Sequence, residues 1–334
     1  MAVITYKCPN CGGDLRFDPE SQRFKCEYCR SDFSQDEVEQ MAPDSALLYH
    51  CPNCGAEIVT DETTTATFCY YCHNPVVLSG KMQGEYRPDL VIPFAIDREK
   101  AIEIFSGWIG RKKYIPKEFY SPEQIEMMTG IYFPYWMFDC QVEGKLSAEA
   151  TKLKTWVSGS VQFVQTETFD VSRAGQMPVE HVTRNALKKA NRQLVEGVLP
   201  FEMEGIKPFS MGYLSGFQAE NRDMERQEFT AEVEQEVREF AADSLKRDIG
   251  AYDSVKVRSQ SAEIQNPKWS YTLLPVWTLT YKDEKNDKIY YFACNGQTGK
   301  VCGVLPVDNG RLLTLFAAIF IPLLVILLIV GYFL

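Results

Sequence analysis

Eight cysteines fall into two copies of one spacing. Cys8-Pro9-Asn10-Cys11-Gly12 is followed, after fourteen intervening residues, by Cys26-Glu27-Tyr28-Cys29. Cys51-Pro52-Asn53-Cys54-Gly55 is followed after the same interval by Cys69-Tyr70-Tyr71-Cys72, so the pattern repeats at a period of 43 residues. Each copy offers four thiolates, the tetrahedral closed shell of a structural zinc site, and the interval approaches the ~15–20 residues usual between such pairs. The expected ligands are Cys8, Cys11, Cys26 and Cys29 for one zinc ion, and Cys51, Cys54, Cys69 and Cys72 for a second. The short pair spacing demands a tight turn, and the glycines after Cys11 and Cys54 let that turn adopt a left-handed conformation. Disulfides and a redox pair are the competing chemistries. The absence of a secretory leader before Cys8 argues against the first, and two matched doublets argue against the second. A closed four-sulfur shell leaves no open coordination position, which makes the expected zinc structural.

Other groups supply little catalytic chemistry. The three histidines are His50 and His73, which adjoin module cysteines, and His181, placed before an expected helix. Cys140, Cys294 and Cys302 lie in strand-like apolar surroundings, where a cysteine behaves as a small hydrophobe. Gly296-Gln297-Thr298-Gly299-Lys300 lacks the phosphate-loop spacing and falls between two strands, so it reads as a hairpin turn. Arg111-Lys112-Lys113 reads as a solvated helix C-terminus rather than a lipid-binding patch. No catalytic residue emerges, and the chain is not expected to be an enzyme.

The elements that must carry the cysteines follow from pattern. The expected divisions are a zinc ribbon over 1–33, a short helical linker over 34–48 opened by the capping box Ser34…Glu37, a second ribbon over 49–78, and a cytosolic α+β domain over 86–306. In the last, Asp97 and Ser121 cap helices, with Pro122 at the first helical position. Alternating aromatic and β-branched residues from Ile131 to Val171 predict strands. Thr183–Val195 reads as a helix. Arg222–Ile249 reads as the longest one, its apolar stripe formed by Phe229, Val233, Val237, Phe240, Leu245 and Ile249, with Glu234/Arg238 and Asp243/Arg247 pairing on the wet side. Strands follow near Val255–Ile264, Tyr271–Tyr281 and Ile289–Cys294, the last turned by Asn295-Gly296. The fold class is therefore small β followed by α+β with a mainly antiparallel sheet.

Residues 312–334 contain no charge over 23 positions and span roughly 34 Å as a helix, enough for a ~30 Å hydrocarbon core. A single C-terminal transmembrane helix, and so a tail-anchored cell-membrane protein with most of the chain cytoplasmic, is the expectation. Reduced thiols and zinc support that orientation better than the lone flanking Arg311 does.

Charge narrows the partners. Residues 1–80 hold five Lys/Arg against twelve Asp/Glu, a net of −7, and each tetrathiolate zinc site would add a formal −2. Such a module is repelled by phosphate backbones, and residues 81–334, with 30 basic and 33 acidic side chains, do not compensate.

With these parts in view, the chain resembles the bacterial membrane proteins described as TFIIB-type zinc ribbon-containing. The resemblance runs through the doubled CPNCG ribbons, Val91-Ile92-Pro93-Phe94, Gly130-Ile131-Tyr132-Phe133-Pro134-Tyr135-Trp136, Leu274-Pro275-Val276-Trp277, Asn295-Gly296-Gln297-Thr298-Gly299-Lys300 and one C-terminal span. That family has no established activity. Some members are encoded beside phage-shock-protein-A-like and SPFH-type membrane proteins, which implies a part in envelope maintenance or stress and those proteins as partners. Residues 1–305 read as a protein-binding scaffold or adaptor; the alternatives are a membrane-tethered nucleic-acid binder and an enzyme of unrecognised type in the α+β domain.

The charge balance predicts no measurable affinity of residues 1–311 for duplex or single-stranded nucleic acid near physiological salt. Micromolar binding that weakens steeply with added salt would replace the adaptor reading with the nucleic-acid one.

Overall fold

A computed structural model of the chain describes residues 3–4, 6, 8–40, 64–68, 75–78, 86–112, 114–188, 190, 192–250, 252–283 and 288–333. Cys51, Cys54, Cys69 and Cys72, with His50, His73 and Lys113, lie outside the described residues. Two compact units are formed, one from residues 1–134, 187–222 and 273–334, the other from 135–186 and 223–272.

In chain order the elements are β1 (Val3–Ile4), β2 (Leu15–Asp18), β3 (Arg23–Cys26), β4 (Asp32–Phe33), α1 (Gln35–Gln40), β5 (Thr64–Phe68), β6 (Pro75–Leu78) and β7 (Leu90–Val91). Next come α2 (Arg98–Gly110), α3 (Pro122–Glu126), β8 (Thr129–Ser158), β9 (Val161–Asn185), α4 (Arg192–Gly197), β10 (Lys207–Pro208) and β11 (Gln218–Glu220). The chain continues through α5 (Gln227–Arg247), β12 (Ser254–Asp283), β13 (Lys288–Asn295), β14 (Val301–Val304) and α6 (Asn309–Phe333). A small sheet β2-β3-β4 stands apart from a larger one ordered β1-β6-β5-β11-β8-β12-β13-β14, with β9 on β8 and β7 joined to β10 and β12. Among the pairings with a described register only β11 with β8 is parallel. The strands flanking Cys69 and Cys72, β5 and β6, thus belong to the larger sheet.

In the first unit the caps form as sequence predicts. Asp97 accepts from the Lys100 N–H at 2.7 Å, and Ser121 from that of Gln124 at 3.3 Å. Ser34 and Glu37 make the reciprocal box at the start of α1, with the Ser34 N–H on Glu37 Oε2 at 2.6 Å. The core centres on Phe94, fully buried, whose ring stacks on Phe217 (centroids 4.2 Å apart) and meets Tyr132 and Trp277 at 5.0 and 5.1 Å. Backbone presses in from two sides. A Cβ on Gly296 would lie 2.5 Å from the Phe94 ring, and one on Gly130 2.7 Å from the ring of Phe217. The N–H groups of Ala95 and Ile96 both donate to the Gly296 carbonyl at 2.9 Å, and the Trp277 indole N–H donates to Ile96. Gly296-Gln297-Thr298-Gly299 is the expected turn: buried Asn295 accepts from Gln297 N and Thr298 N, and its amide donates to the carbonyls of Val198 and Pro200. α6 follows β14, and its Leu312–Gly331 stretch is long and apolar enough to cross a membrane.

In the second unit β8 and β9 pair from Tyr135↔Asn185 to Ser158↔Val161, with a bulge near Asp139 where the His181 N–H, at φ +62°, donates to the Asp139 carboxylate. α5 covers this hairpin, burying Leu245 with Leu146, Ala148, Ala150 and Val171. Close approach requires Gly144, whose Cβ would be 2.7 Å from Leu245 Cδ1.

Four expectations change. Residues 183–185 are strand, because cross-strand pairing with β8 overrides their helical pattern; the helix in that region is Arg192–Gly197. The segments 255–264 and 271–281 are one strand, since polar residues in an antiparallel ribbon interrupt burial without interrupting pairing. The stripe of α5 is Phe229, Val233, Val237, Ala241 and Leu245, a strict four-residue repeat that leaves Phe240 exposed. Arg238 pairs with Glu234 as predicted, but Arg247 reaches the Asp243 carbonyl and the Ser244 hydroxyl instead of a carboxylate.

Phe94→Ala should cost about 3–5 kcal/mol by opening a cavity between two fixed backbone segments. Phe240→Ser should stay within about 0.5 kcal/mol. Denaturant unfolding of the solubilised full-length protein checks both.

Candidate metal centre

The cysteines of the first module are positioned by two turns of the same construction. In one, the Cys8 N–H donates to the Gly13 carbonyl (2.7 Å) and the Gly12 N–H to the Cys8 carbonyl (2.8 Å). In the other, the Cys26 N–H donates to Ser31 and the Arg30 N–H to Cys26, each at 2.9 Å. The residue after the second cysteine is left-handed in both, Gly12 at φ +74° and Arg30 at φ +61°. Glycine is thus used where sequence placed it, whereas the second turn forces a side chain into the same conformation. Gly13 is equally constrained: its Cβ would stand 3.3 and 3.4 Å from the sulfurs of Cys26 and Cys11.

The register Leu15↔Cys26 across β2 and β3 brings the turns together. All four sulfurs, Cys8, Cys11, Cys26 and Cys29, lie within 4.8 Å of one another, with Cys8–Cys29 and Cys11–Cys26 at 3.5 Å. Tetrahedral bonds of about 2.3 Å to zinc would put sulfurs roughly 3.8 Å apart, so the set can hold a metal ion and is compatible with zinc. Cys8 and Cys26 are buried, Cys11 and Cys29 exposed.

Electrostatics points the same way. Burial raises the Cys8 thiol above its ordinary range. At Cys11 the Gly13 backbone N–H favours the thiolate, yet the neighbouring Cys29 and Cys26 sulfurs push the thiol up to about 12. The Ser31 hydroxyl, 3.2 Å from Cys29 Sγ, and the Ser31 backbone N–H bring Cys29 down to about 6. Four adjacent sulfurs cannot all ionise without a cation. Ser31 and Arg30 were not singled out from sequence; their only signal is position, one and two residues past a C-x-x-C pair.

Apolar packing fixes the module within the first unit. Phe17 and Phe24 meet Tyr213 at 5.1 and 6.2 Å, the Ser215 hydroxyl donates to the Leu15 carbonyl, and Gln22 donates to the carbonyl of Phe94. Beside it opens a cleft of about 660 Å³, lined by the cations Arg16, Lys25, Arg30 and Arg98 and by the carboxylates Asp18, Glu27, Asp32, Asp97 and Glu99. Cys140 and Cys294 are buried and are not members of the four-sulfur group, Cys294 with its thiol pushed up to about 12 by burial.

These parts define a protein with a small four-cysteine antiparallel sheet, a larger mainly β body and, among the described residues, one apolar helix of membrane-spanning length. It is 36% identical to a Bacillus subtilis (strain 168) protein described as "Uncharacterized protein YdjG", over 326 residues that cover 95% of this chain and 94% of that protein. The chain belongs to the same family as YdjG. No protein-family model matches it, and no solved structure does.

Because bound sulfurs must be thiolates, loading the cluster with zinc should release protons, and affinity should fall as pH drops from about 8 to 6. The sign follows from binding depressing the thiol pKa values, which makes the stabilisation present at higher pH and lost on acidification. Cys26→Ser should lower bound metal by one equivalent. Proton release in weak buffer and metal analysis of the full chain read these outcomes.

Proposed function

We propose that this protein is a membrane-anchored, cytosol-facing scaffold or adaptor in which zinc ions hold small rigid modules that, with the adjoining body, present a surface to other proteins at the membrane. Zinc is the ion of choice because a set of four close sulfurs suits it, and a shell already filled by protein leaves no position for a substrate. A second structural zinc would be held by Cys51, Cys54, Cys69 and Cys72. The observation carrying the proposal is that a four-sulfur cluster and a span-length helix, Leu312–Gly331, occur in one chain.

The cleft beside the cluster supports a protein partner over a nucleic acid. Its five carboxylates outnumber its four cations, so a polyanion gains nothing there, whereas a polypeptide of mixed charge can match both signs. Confinement to the bilayer raises the effective concentration of the body for membrane proteins, which lets weak contacts suffice. The resemblance to TFIIB-type zinc-ribbon membrane proteins suggests phage-shock-type or SPFH-type proteins as partners and envelope maintenance as the setting.

The test compares the full-length protein, a deletion of residues 312–334, and a version carrying an unrelated transmembrane helix, each purified from membranes or cytosol after crosslinking in cells. The same membrane proteins should be recovered with the first and third and lost with the second. Loss with the unrelated helix, although the protein still reaches the membrane, would mean that the span itself recognises a partner and the simple-anchor reading is wrong.

A further inference from the structure

The free end of the β8–β9 hairpin in the second unit carries exposed apolar residues. The ribbon's other neighbour, β12, begins at Ser254, and Asp253 closes the sheet by donating its N–H to the Thr151 carbonyl and accepting from the Leu153 N–H. Beyond that point β8 and β9 continue alone to the turn at Gly159, φ +64°. Along Ala148–Ala150 burial still alternates as in a one-faced sheet, but every residue from Lys152 to Ser158 is exposed.

Composition changes at the same place. Lys154 pairs with Glu167 at 2.7 Å, and the twelve residues between them, Thr155 to Thr166, contain no charge. Cross-strand register assigns the side chains to faces. Trp156 opposite Phe163 lies on one face with Val161, their rings stacked at 5.6 Å; Val157 and Val164 lie on the other. Val157 is 68% exposed and Trp156 48%.

A ribbon docked on a protein surface buries one face and keeps the other polar. This tip carries uncharged, exposed apolar side chains on both, Val157 and Val164 standing beside Thr155 and Gln162 on the second, which suits a medium that surrounds it. The chain itself offers one, given the reading of α6 as a membrane anchor on which this inference rests. We infer that the hairpin tip, residues 155–166, is a second membrane contact that inserts into the lipid interface. From Thr155 to Ser158 one arm reaches about 10 Å, comparable to the ~5–10 Å depth of interfacial segments. Tryptophan suits that depth, where its ring is apolar and its N–H stays wet. The outward N–H and C=O groups of a two-stranded ribbon have no partners in hydrocarbon, which stops the tip at the interface. The ion pairs at its base, Lys154–Glu167 and Arg258 with Glu149 and Asp170, leave no surplus of positive charge, so insertion does not depend on anionic lipid.

The experiment reconstitutes the full chain in phosphatidylcholine vesicles with the photoreactive residue benzoylphenylalanine in place of Val157, Val164, Tyr28 or Leu324, one at a time. After irradiation, mass analysis should find a shift of one phospholipid at Val157, Val164 and Leu324, and none at Tyr28, which is exposed on the cysteine module. An adduct at Leu324 without one at Val157 or Val164 would overturn the hairpin inference and leave the anchor standing. Absence of a lipid adduct at Leu324 would overturn the anchor and the hairpin together. Crosslinks from Val157 to a second copy of the chain, or lipid adducts at Tyr28 equal to those at Val157, would also sink the proposal.

Discussion

The ring of Phe94 has almost no freedom, and much of the first unit is arranged around that fact. It is held between the backbone at Gly296 and the aromatic faces of Phe217, Tyr132 and Trp277, while a side chain at Gly130 would drive into Phe217. Interiors packed to crystal-like density tolerate such closeness only if the facing residues lack a Cβ. The same few residues also satisfy the local backbone. Gly296 accepts two N–H groups from the chain leaving Phe94, and the Phe94 carbonyl takes the amide of Gln22 from the cysteine module. Strings far apart in sequence, Val91–Phe94, Gly130–Pro134, Leu274–Trp277 and Asn295–Lys300, thereby meet or border one core.

That convergence alters how the cysteine module is understood. A ribbon of about thirty residues buries too little apolar surface to stand alone and would be expected to depend on its metal. Here the small sheet also buries Phe17 and Phe24 against Tyr213 within the same unit, and a Cβ on Gly212 would lie 3.0 Å from the Phe24 ring. The sulfur cluster is therefore presented from a fixed base. Its two turns obey one hydrogen-bond scheme, yet one uses glycine and the other arginine in the left-handed position, so the constraint lies in the backbone and not in the residue type.

Several features were legible from local chemistry. The four cysteines of the first module, the caps at Asp97, Ser121 and Ser34, the Asn295-Gly296 turn and the apolar helix from Leu312 each depend on residues close in sequence, where spacing alone dictates geometry. The misreadings share the opposite property. Residues 183–185 look helical by themselves but are claimed by a strand some fifty residues upstream, and Phe240 looks like core until the four-residue repeat of α5 meets the hairpin it covers. The separate strands expected between Val255 and Tyr281 merge because pairing partners, not hydrophobic periodicity, set strand length.

Sequence by itself determined the kinds of chemistry available: cysteines at metal-ligand spacing, a span-length apolar segment, and a net acidic charge. Tertiary structure alone decided which groups share a place. It put four sulfurs within 4.8 Å, paired Arg16 and Lys25 beside them with carboxylates, and carried a hairpin past the end of its sheet so that both faces lie bare. The physical reason is range. Capping, turn and coordination preferences act over a few residues, whereas cross-strand register and core packing join residues tens to hundreds apart, and no local pattern encodes the partner.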